Sequence, residues 1–558
     1  MMKRTHKILL ALLSALLLSI PFFRWGTGLI LLVALVPMLF IEDAIARQKS
    51  EYRKGSETKN GSEKGKSSGK RGGSGNRSGS VVWYGIITFA LFVLLTTYWV
   101  YWATPVGIVA SVIVNGGYMT LTFLLFHLTR RKLGDRLGYA SLVVYWLTFE
   151  FLYIRATINF PWLLFGNGFA NDVMLIQWYE WTGTLGGSLW VLMMNIAAFK
   201  LIKGWLTDRT FEANRKQIGW VVGIFLVPLL FSLVRYMTYE EKEDPYEMVV
   251  LQPNIDPYEK FGEMSQSKQT QYLLQIADSL VRAQTDYIVG PETFINNGVW
   301  EAGMNRHIEV RKLKKLLEEY PDAKLVMGAT TLKLYMDPSE YTSTSRPIRD
   351  GAYQYDSYNS AFQLDSSDQI PVYHKSVLVV GVEHMPYTNL LGFLEKLTVR
   401  LGGAFRSHGT QEERETFVSP QDSTRVGPVI CWESVFGEYV TDYVKEAGAN
   451  FLFIVTNDGW WKNTPGHRQH NSYARLRAIE TRRSIARSAN TGISSLINQR
   501  GDELARLGWW ERSGLRGTLN KNDHITFYVK HGDFLGRIAL FLTVILLLYT
   551  VLIRYIRR

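Results

Sequence analysis

The segment Gly427-Pro-Val-Ile-Cys-Trp-Glu433 is an apolar run that predicts a buried strand ending at a chemically active position. Its cysteine, Cys431, is the only cysteine in 558 residues, so it has no disulfide partner within the chain. Membrane segments on either side predict that Cys431 lies outside the cytoplasm, where unpaired thiols are readily oxidised. A lone cysteine is also a common small apolar filler, but a thiol retained in that compartment is a candidate nucleophile.

Both ends of the sequence are as apolar as membrane spans. The mean hydropathy of −0.03 conceals this, because the middle of the chain is polar. Eight apolar runs approach or exceed the roughly 17 to 25 residues that cross a bilayer. They cover residues 7–23, 28–44, 81–101, 105–128, 139–154, 186–203, 218–236 and 534–555. The first run follows Lys3 and Arg4 as a signal peptide would, but no small-residue cleavage site follows it, so we expect an uncleaved helix.

Lysine and arginine collect in alternate loops, at residues 3–4, 47–77, 130–132, 209–216 and 557–558. Basic residues near span ends stay on the cytoplasmic side, which predicts that both termini are cytoplasmic. The net charge of +12 is therefore mainly a topology signal, and we expect no nucleic-acid partner.

Three regions follow from this pattern. Residues 1–237 are predicted to form seven transmembrane helices, with a disordered Gly/Ser/Lys-rich cytoplasmic loop at 47–80. Residues 238–533 form an extracytoplasmic domain, and residues 534–558 form the eighth helix and a basic cytoplasmic tail. Glu150 lies inside the fifth span, where either a functional role or an interhelix hydrogen bond would explain it.

The middle domain alternates short apolar runs with amphipathic stretches. Strands are predicted at 248–251, 287–290, 325–328, 360–364, 426–432, 451–456 and 493–498, and helices at 267–282, 311–319 and 469–488. This alternation predicts a layered α/β domain in which helices cover sheets.

A nucleophilic Cys431 needs a base and a positive charge nearby, because a free thiol is mostly protonated at neutral pH. Glu292 follows a predicted buried strand, Lys375 and Glu383 share one segment, and Glu433 is expected on the same side of an extended strand as Cys431. Taken singly, Glu292 could be a helix-dipole acid and Lys375 a surface lysine. Their combination in this order favours a catalytic set.

Two other arrangements remain open. A papain-type pair would join Cys431 to His374 or His384, which flank the lysine segment. His467 and His470 have metal-ligand spacing, but no obvious third ligand accompanies them, so neither a metal nor a cofactor is predicted. Trp509 and Trp510 are either core residues or apolar contacts with lipid.

Several motifs together resemble the carbon-nitrogen hydrolase (nitrilase) superfamily. They are Gly-Pro-Glu292, Tyr-His-Lys375 followed by Glu383 and Pro386, and Ile-Cys431-Trp-Glu433. With membrane helices on both sides, the chain resembles the apolipoprotein N-acyltransferase family more specifically. Further motifs carry this resemblance: Asn-Phe-Pro-Trp162, Gln252-Pro-Asn254, Thr456-Asn-Asp458-Gly-Trp460, Arg477-Ala-Ile-Glu480 and Arg487-Ser-Ala-Asn490.

The resemblance implies an integral membrane bundle of eight helices carrying an inserted nitrilase-like domain, an αββα sandwich outside the cytoplasm. It implies a catalytic triad of Glu292 as base, Lys375 as oxyanion stabiliser and Cys431 as nucleophile. Glu383, Glu433 and the Trp432 amide would support the triad, and Phe261, Trp460 and Trp461 are candidate lipid contacts.

The implied activity is transfer of an acyl chain from a phospholipid, expected to be phosphatidylethanolamine, to the amino terminus of a diacylated apolipoprotein through a thioester. The implied setting is the bacterial inner membrane, with the domain periplasmic and the protein a monomer. Two alternatives are a membrane-tethered amidase, whose acyl-enzyme water resolves, and a lipid-binding protein without catalysis.

Overall fold

The computed structural model describes residues 2–59, 77–384 and 407–556. The amino-terminal half is helical, and a further long helix, α15 (Phe534–Ile556), closes the described chain. The amino-terminal helices are α1 (Arg4–Ser19), α2 (Leu31–Ala34), α3 (Val36–Lys59), α4 (Arg77–Thr97), α5 (Val100–Ala103), α6 (Pro105–Ile154), α7 (Tyr179–Thr207) and α8 (Phe211–Thr238). Of the loop predicted to be disordered at 47–80, residues 47–59 lie in α3 and residues 77–80 in α4. The rest of that loop, 60–76, and the basic end at 557–558 lie outside the described residues.

Among the described residues, seven helical segments are long and apolar enough to cross a membrane. The sequence predicts eight, and the difference lies in α6, whose 50 residues cover the fourth and fifth predicted spans together. A straight helix of that length would extend about 75 Å, far more than the ~30 Å of a bilayer core.

The helix α6 is in fact a hairpin that reverses at Gly134. This glycine has φ 83° and ψ −177°, which is not helical. The hydroxyl oxygens of Thr129 and Tyr145 lie 3.0 Å apart, although sixteen residues separate them. The rings of Tyr118 and Tyr153 also meet, with centroids 5.6 Å apart. The two arms of α6 therefore run antiparallel and pack on each other.

Glu150, in the second arm of α6, is buried and hydrogen-bonded. Its Oε1 accepts from the Trp146 indole at 3.1 Å and from the Phe165 backbone N–H at 3.0 Å. These bonds anchor the turn that follows the hairpin, which supports the hydrogen-bonding interpretation of this residue.

The middle domain contains two sheets. The first has the order β14-β1-β2-β4-β6-β5, with β3 on β4 and β7 on β6, and the second has the order β13-β12-β11-β10-β9-β8. The first seven strands are β1 (Pro245–Gln252), β2 (Tyr287–Val289), β3 (Ile295–Trp300), β4 (Lys324–Tyr335), β5 (Arg346–Ile348), β6 (Tyr353–Leu364) and β7 (Val372–His374). The others are β8 (Phe417–Val418), β9 (Arg425–Ile430), β10 (Phe451–Thr456), β11 (Ser484–Ala489), β12 (Ser495–Ile497), β13 (Glu503–Arg506) and β14 (Ser513–Asn520).

The described residues of this domain include six helices: α9 (Pro257–Phe261), α10 (Gln266–Leu280), α11 (Ile308–Glu319), α12 (Gly437–Lys445), α13 (Pro465–Thr481) and α14 (Phe527–His531). The sheets pack face to face, as in the contact of the Tyr287 and Phe453 rings at 5.2 Å. Leu273 of α10 and Leu313 of α11 cover the outer face of the first sheet, and Tyr443 of α12 covers the second. The predicted layering of helices over sheets is therefore confirmed.

Strands β1, β2 and β4 are mutually parallel, as are β9, β10 and β11. Carboxyl ends of parallel strands meet at one edge of a sheet, where ligands commonly bind in α/β folds. Glu292 follows β2 by three residues and Cys431 follows β9 directly. The topology thus places two predicted catalytic residues just after parallel strands, one in each of the two facing sheets.

Two predicted elements end early, at backbone turns that the sequence pattern does not mark. The helix predicted over 469–488 ends at Thr481, because Arg482 adopts a left-handed conformation with φ 51° and the chain continues as β11. The strand predicted over 426–432 ends at Ile430, because Cys431 also has a positive φ, of 49°. At both positions the backbone turns within a stretch whose side chains remain buried.

The domain is joined to the membrane bundle by buried polar contacts of α13. The Gln469 amide donates to the Phe22 carbonyl at 2.8 Å and accepts from the indoles of Trp99 at 3.1 Å and Trp162 at 2.6 Å. Just beyond the helix, Arg482 Nε donates to Glu180 of α7 at 2.6 Å. These contacts fix the domain at one end of the bundle.

Gly134→Ala is expected to destabilise the protein, because the backbone conformation of Gly134 is accessible almost only to glycine. The cost should be about 1–3 kcal/mol, measured as a lower midpoint of thermal unfolding in detergent. Gly117→Ala is the matched control, since Gly117 lies within a helical arm of α6 with open space around it. An equal effect of the two substitutions would contradict a strained turn at Gly134.

Candidate active site

The site is built around the turn that starts at Cys431. The strand β9 is paired in parallel with β10 up to Ile430, and residues Cys431–Val435 form a single 3-10 turn. A non-glycine residue with positive φ is strained by about 1–2 kcal/mol. Two hydrogen bonds to the Cys431 carbonyl hold the turn: the Ser434 hydroxyl donates at 2.7 Å, and His470 Nε2 lies at 3.2 Å.

Lys375 lies between two carboxylates. Its ammonium donates to Glu292 Oε1 at 3.1 Å and to Glu383 Oε2 at 2.9 Å. Asn359 of β6 bridges the same carboxylates, because its amide donates to Glu292 at 2.8 Å and to Glu383 at 2.7 Å. All four polar groups are therefore satisfied although Lys375 is only 1% exposed.

Glu292, Lys375, Glu383, Cys431 and Trp432 line one cavity of about 320 Å³. The opposite wall comes from the membrane bundle, and its residues include Val100, Ala103, Val106, Gly107, Ala110, Ser111, Val114, Asn115, Tyr153 and Phe160. Val106, which is 40% exposed, carries the wall to the outer surface of α6. The reactive groups therefore face an apolar surface that continues onto the membrane-facing side of the helices.

Comparisons with known proteins agree with this arrangement. The family model described as Carbon-nitrogen hydrolase matches residues 250–523, and that described as Apolipoprotein N-acyltransferase N-terminal domain matches residues 70–197. The chain is similar to apolipoprotein N-acyltransferase of Chlorobaculum tepidum, with 27% identity over 81% of this chain and 84% of that relative. The corresponding protein of Geobacter metallireducens is 26% identical over 77% of this chain and 78% of its own length. The chain thus carries both an apolipoprotein N-acyltransferase amino-terminal domain and a carbon-nitrogen hydrolase domain.

Glu433 lies behind the reactive groups and does not line the cavity. The prediction that it shares one side of an extended strand with Cys431 is wrong, because the chain turns at Cys431. Glu433 Oε2 instead accepts from the Ile430 N–H at 2.9 Å, and Oε1 accepts from the Ser376 N–H at 2.7 Å and the Tyr439 hydroxyl at 2.6 Å. Glu433 thus ties the residue before Cys431 to the residue after Lys375.

A buried polar network lies beneath Cys431. Asp458 accepts from Arg487 at 2.7 Å and from the Thr456 hydroxyl at 2.9 Å, and it contacts His470 Nδ1 at 2.9 Å. Potential ligand atoms of Cys431, Asp458 and His470 lie within 4.8 Å of one another, but the Arg487 guanidinium already occupies the Asp458 carboxylate. Because Asp458 already pairs with Arg487, this network is better suited to positioning Cys431 than to binding a cation.

The two histidines considered as papain-type partners contact other groups. His374 Nε2 lies 2.7 Å from Glu301, and His384 Nδ1 lies 3.2 Å from the Ser407 hydroxyl. Neither lines the cavity. His470 does contact the Cys431 residue, but through the backbone carbonyl, so the structure supports neither predicted pair.

The predicted lipid contacts divide into two groups. Trp460 and Trp461 line the cavity, whereas Phe261 lies outside it, half-exposed and stacked on Trp460 with ring centroids 5.9 Å apart. Trp432 packs its indole on Trp162 of the bundle at 5.5 Å. The aromatic residues therefore form the passage between the domain and the helices.

Two residues of the site, Asn359 and Lys260, were not predicted from the sequence. Asn359 could have been found as an amide in a strand otherwise rich in aromatic residues, because asparagine is depleted from strands. Lys260 gave no such signal, yet it is buried and its ammonium donates to the Glu292 carbonyl at 2.9 Å. Burial lowers the pKa of Lys260 to about 7, against the opposing effect of the nearby Glu292 carboxylate.

Charges around the sulfur keep it protonated at rest. Burial, and then the Glu292 carboxylate, raise the pKa of Cys431 well above its ordinary value, while Lys375 acts in the opposite direction. Burial disfavours a charged Lys375, but Glu292 and Glu383 outweigh it and raise the pKa of Lys375 well above the ordinary range. Cys431 is thus a thiol that must lose its proton as it reacts.

Alkylation of Cys431 by iodoacetamide is expected to accelerate with pH through pH 9 without levelling. The reason is that the raised pKa keeps the thiolate a small fraction, which grows about tenfold per pH unit. Lys375→Met should slow the reaction further by removing the ammonium that favours the thiolate.

The control is Ser366→Cys in a Cys431→Ser background, because Ser366 is exposed. Its alkylation should level off near the ordinary cysteine pKa of about 8.5. A Cys431 profile that levels below pH 7 would show a stable thiolate and contradict this description.

Proposed function

We propose that this protein transfers an acyl chain from a phospholipid, expected to be phosphatidylethanolamine, to the amino-terminal amine of a diacylated apolipoprotein. Cys431 carries the chain as a thioester, Glu292 is the general base, and Lys375 stabilises the oxyanion. The observation that carries the proposal is the cavity, in which these three residues face a wall made by α5 and α6. Both substrates keep their chains in the bilayer, so the reaction needs such a shared wall.

In the first half-reaction, the Cys431 sulfur attacks the carbonyl carbon of the ester while Glu292 takes the S–H proton. The negative oxygen of the tetrahedral intermediate faces the Lys375 ammonium and the Trp432 backbone N–H, which stands at the start of the 3-10 turn. Collapse breaks the carbon–oxygen bond, and the proton on Glu292 passes to the leaving alkoxide. The products are a thioester and a lysophospholipid.

In the second half-reaction, the amine of the lipid-modified cysteine attacks the thioester carbon. Glu292 accepts a proton from the nitrogen, and the same oxyanion donors stabilise the second intermediate. The carbon–sulfur bond then breaks, and Cys431 regains its proton. Glu383 and Glu433 act as positioning residues, Glu383 through Lys375 and Glu433 through the backbone on either side.

We also propose how the chain lies in the membrane. The α6 hairpin provides two crossings, which with the other six long helices gives eight. Residues 1–237 and 534–558 then form the bundle, with both termini cytoplasmic in the bacterial inner membrane. The catalytic domain, 238–533, lies in the periplasm, and one chain supplies every proposed catalytic residue, consistent with a monomer. The basic loops at 130–132 and 209–216 support this orientation.

Incubation of the purified chain with phosphatidylethanolamine should add one acyl group to the peptide that contains Cys431. Mass spectrometry of the digested protein measures the adduct, which should be absent in Cys431→Ala. Glu292→Gln should slow its formation by about 10²–10⁴-fold, since it removes the general base. Glu318→Gln, at an exposed position of α11, is the matched control and should leave the rate unchanged.

Addition of a diacylated lipopeptide should then discharge the adduct and yield an N-acylated product. Discharge at the same rate in water alone would identify a membrane-tethered amidase instead. Absence of any adduct on Cys431 would exclude both enzymatic functions and leave lipid binding.

The orientation can be measured by cysteine labelling in a Cys431→Ser background. In cells with a permeabilised outer membrane, an impermeant maleimide should label Ser366→Cys in the catalytic domain. Thr210→Cys, in the exposed loop between α7 and α8, should be labelled only after lysis. The reverse pattern would contradict the proposed topology.

A further inference from the structure

A second cavity, of about 640 Å³, lies where the domain meets the bundle and shares no lining residue with the catalytic cavity. Its lining comes from the loop after α1 at residues 21–25, the segment at 167–171, the first part of α13, Ile493, and residues 503–509 around and after β13. We call it the arginine cavity, after Arg24, Arg468, Arg475 and Arg506 in its lining.

The arginine cavity is strongly cationic. Its lining holds four arginines and one carboxylate, Glu503, which is already bonded by the Asn471 amide and lies 3.4 Å from Arg506. The carboxylates of Asp502 and Asp172 also lie near enough to Arg475 to interact with it electrostatically. Arg24 is exposed and has no ion pair or hydrogen bond within the described residues. Guanidinium groups bind phosphate through paired, charge-assisted hydrogen bonds. The charge of this cavity therefore suits a phosphate group.

The lining also contains a buried histidine whose ring nitrogens have no regular hydrogen-bond partner. His467 is 0% exposed, and neither ring nitrogen makes a hydrogen bond of normal geometry within the described chain, although the Lys462 backbone lies nearby. Buried polar atoms without partners are uncommon and call for a ligand or another explanation. The His467 ring stacks on Trp509 with centroids 4.3 Å apart, which fixes its orientation.

His467 also stands in the first turn of α13, beside backbone N–H groups that no side chain caps. The N-cap residue, Thr464, makes no side-chain hydrogen bond to this turn. A helix amino terminus with free N–H groups favours an anion. Burial lowers the pKa of His467 to about 4, so the neutral ring offers one N–H donor at neutral pH.

The mouth of the arginine cavity is aromatic. Phe23 and Trp25 stack with centroids 5.9 Å apart, and Trp25 is 74% exposed. Both residues directly follow the first membrane helix, and Phe22 beside them bonds to Gln469 of the domain. Exposed tryptophan at the end of a membrane span is typical of the headgroup region of a bilayer.

We propose that the arginine cavity binds the phosphate group of a phospholipid headgroup, at a site separate from the acyl donor in the catalytic cavity. The arginines and the α13 amino terminus would bind the phosphate, and Phe23 with Trp25 would contact the glycerol end of the lipid. Free inorganic phosphate presents the same oxygens, so the test must distinguish the two sources. The proposal does not depend on acyl transfer.

The test is native mass spectrometry of the full, delipidated chain titrated with phosphatidylglycerol, phosphatidylethanolamine or diacylglycerol. The wild-type protein should bind one more phospholipid than Arg24→Gln/Arg468→Gln, whose affinity for that lipid should fall about 10- to 100-fold. Diacylglycerol, which lacks phosphate, should bind equally to both proteins. Arg24→Lys/Arg468→Lys should keep part of the affinity, since it keeps the charge.

Arg209→Gln, in the exposed loop after α7, is the matched control and should bind as the wild type does. Unchanged acylation of Cys431 in the double variant would show that it is folded and that the two cavities are independent. Displacement of the extra lipid by millimolar inorganic phosphate would show that the phosphate group dominates the affinity, and binding of phosphate without any lipid would assign the site to the free ion. Equal phospholipid binding by the double variant and the wild type would overturn the proposal.

Discussion

The active site depends on one buried ammonium shared by two carboxylates. Lys375 could not remain charged at 1% exposure without Glu292 and Glu383, and loss of one partner from such a group costs about 3–5 kcal/mol. The contact also fixes three separate parts of the chain, because Asn359 of β6 bonds to both carboxylates. Two of these groups also act on the sulfur: burial and then the Glu292 carboxylate raise the pKa of Cys431, Lys375 opposes them, and Cys431 stays protonated at rest.

The second constraint is the position of α13, which belongs to both halves of the molecule. Along this helix, Gln469 bonds to the bundle, His470 supports the Cys431 carbonyl, and Arg482 at its end pairs with Glu180. Movement of the domain against the helices would therefore break buried polar contacts. The catalytic turn is held in place by the membrane half of the protein as well as by its own sheet.

The sequence predicted the residues at the centre of the site but not the geometry that joins them. Strand ends and family motifs placed Glu292, Lys375 and Cys431 in one site, and the structure brings them to one cavity. The positive φ of Cys431 and of Arg482 was not predictable, because neither residue type favours that conformation and only tertiary contacts impose it. The α6 hairpin was predicted as two spans on either side of the basic loop at 130–132, and Gly134 in that interval is where the chain reverses. Lys260 and Asn359 act through partners distant in sequence, which local patterns do not reveal.

The catalytic cavity is lined by two different parts of the protein, which affects how its substrate selectivity could evolve. The groups proposed to make and break bonds follow strands of the sheets, whereas the surface proposed to accommodate the hydrocarbon comes from α5 and α6. Substitution at Val106, Ala110 or Val114 would alter the room for a chain without touching a hydrogen bond of the Lys375 cluster. Selectivity for chain length and the chemistry of transfer can therefore evolve on separate parts of the sequence.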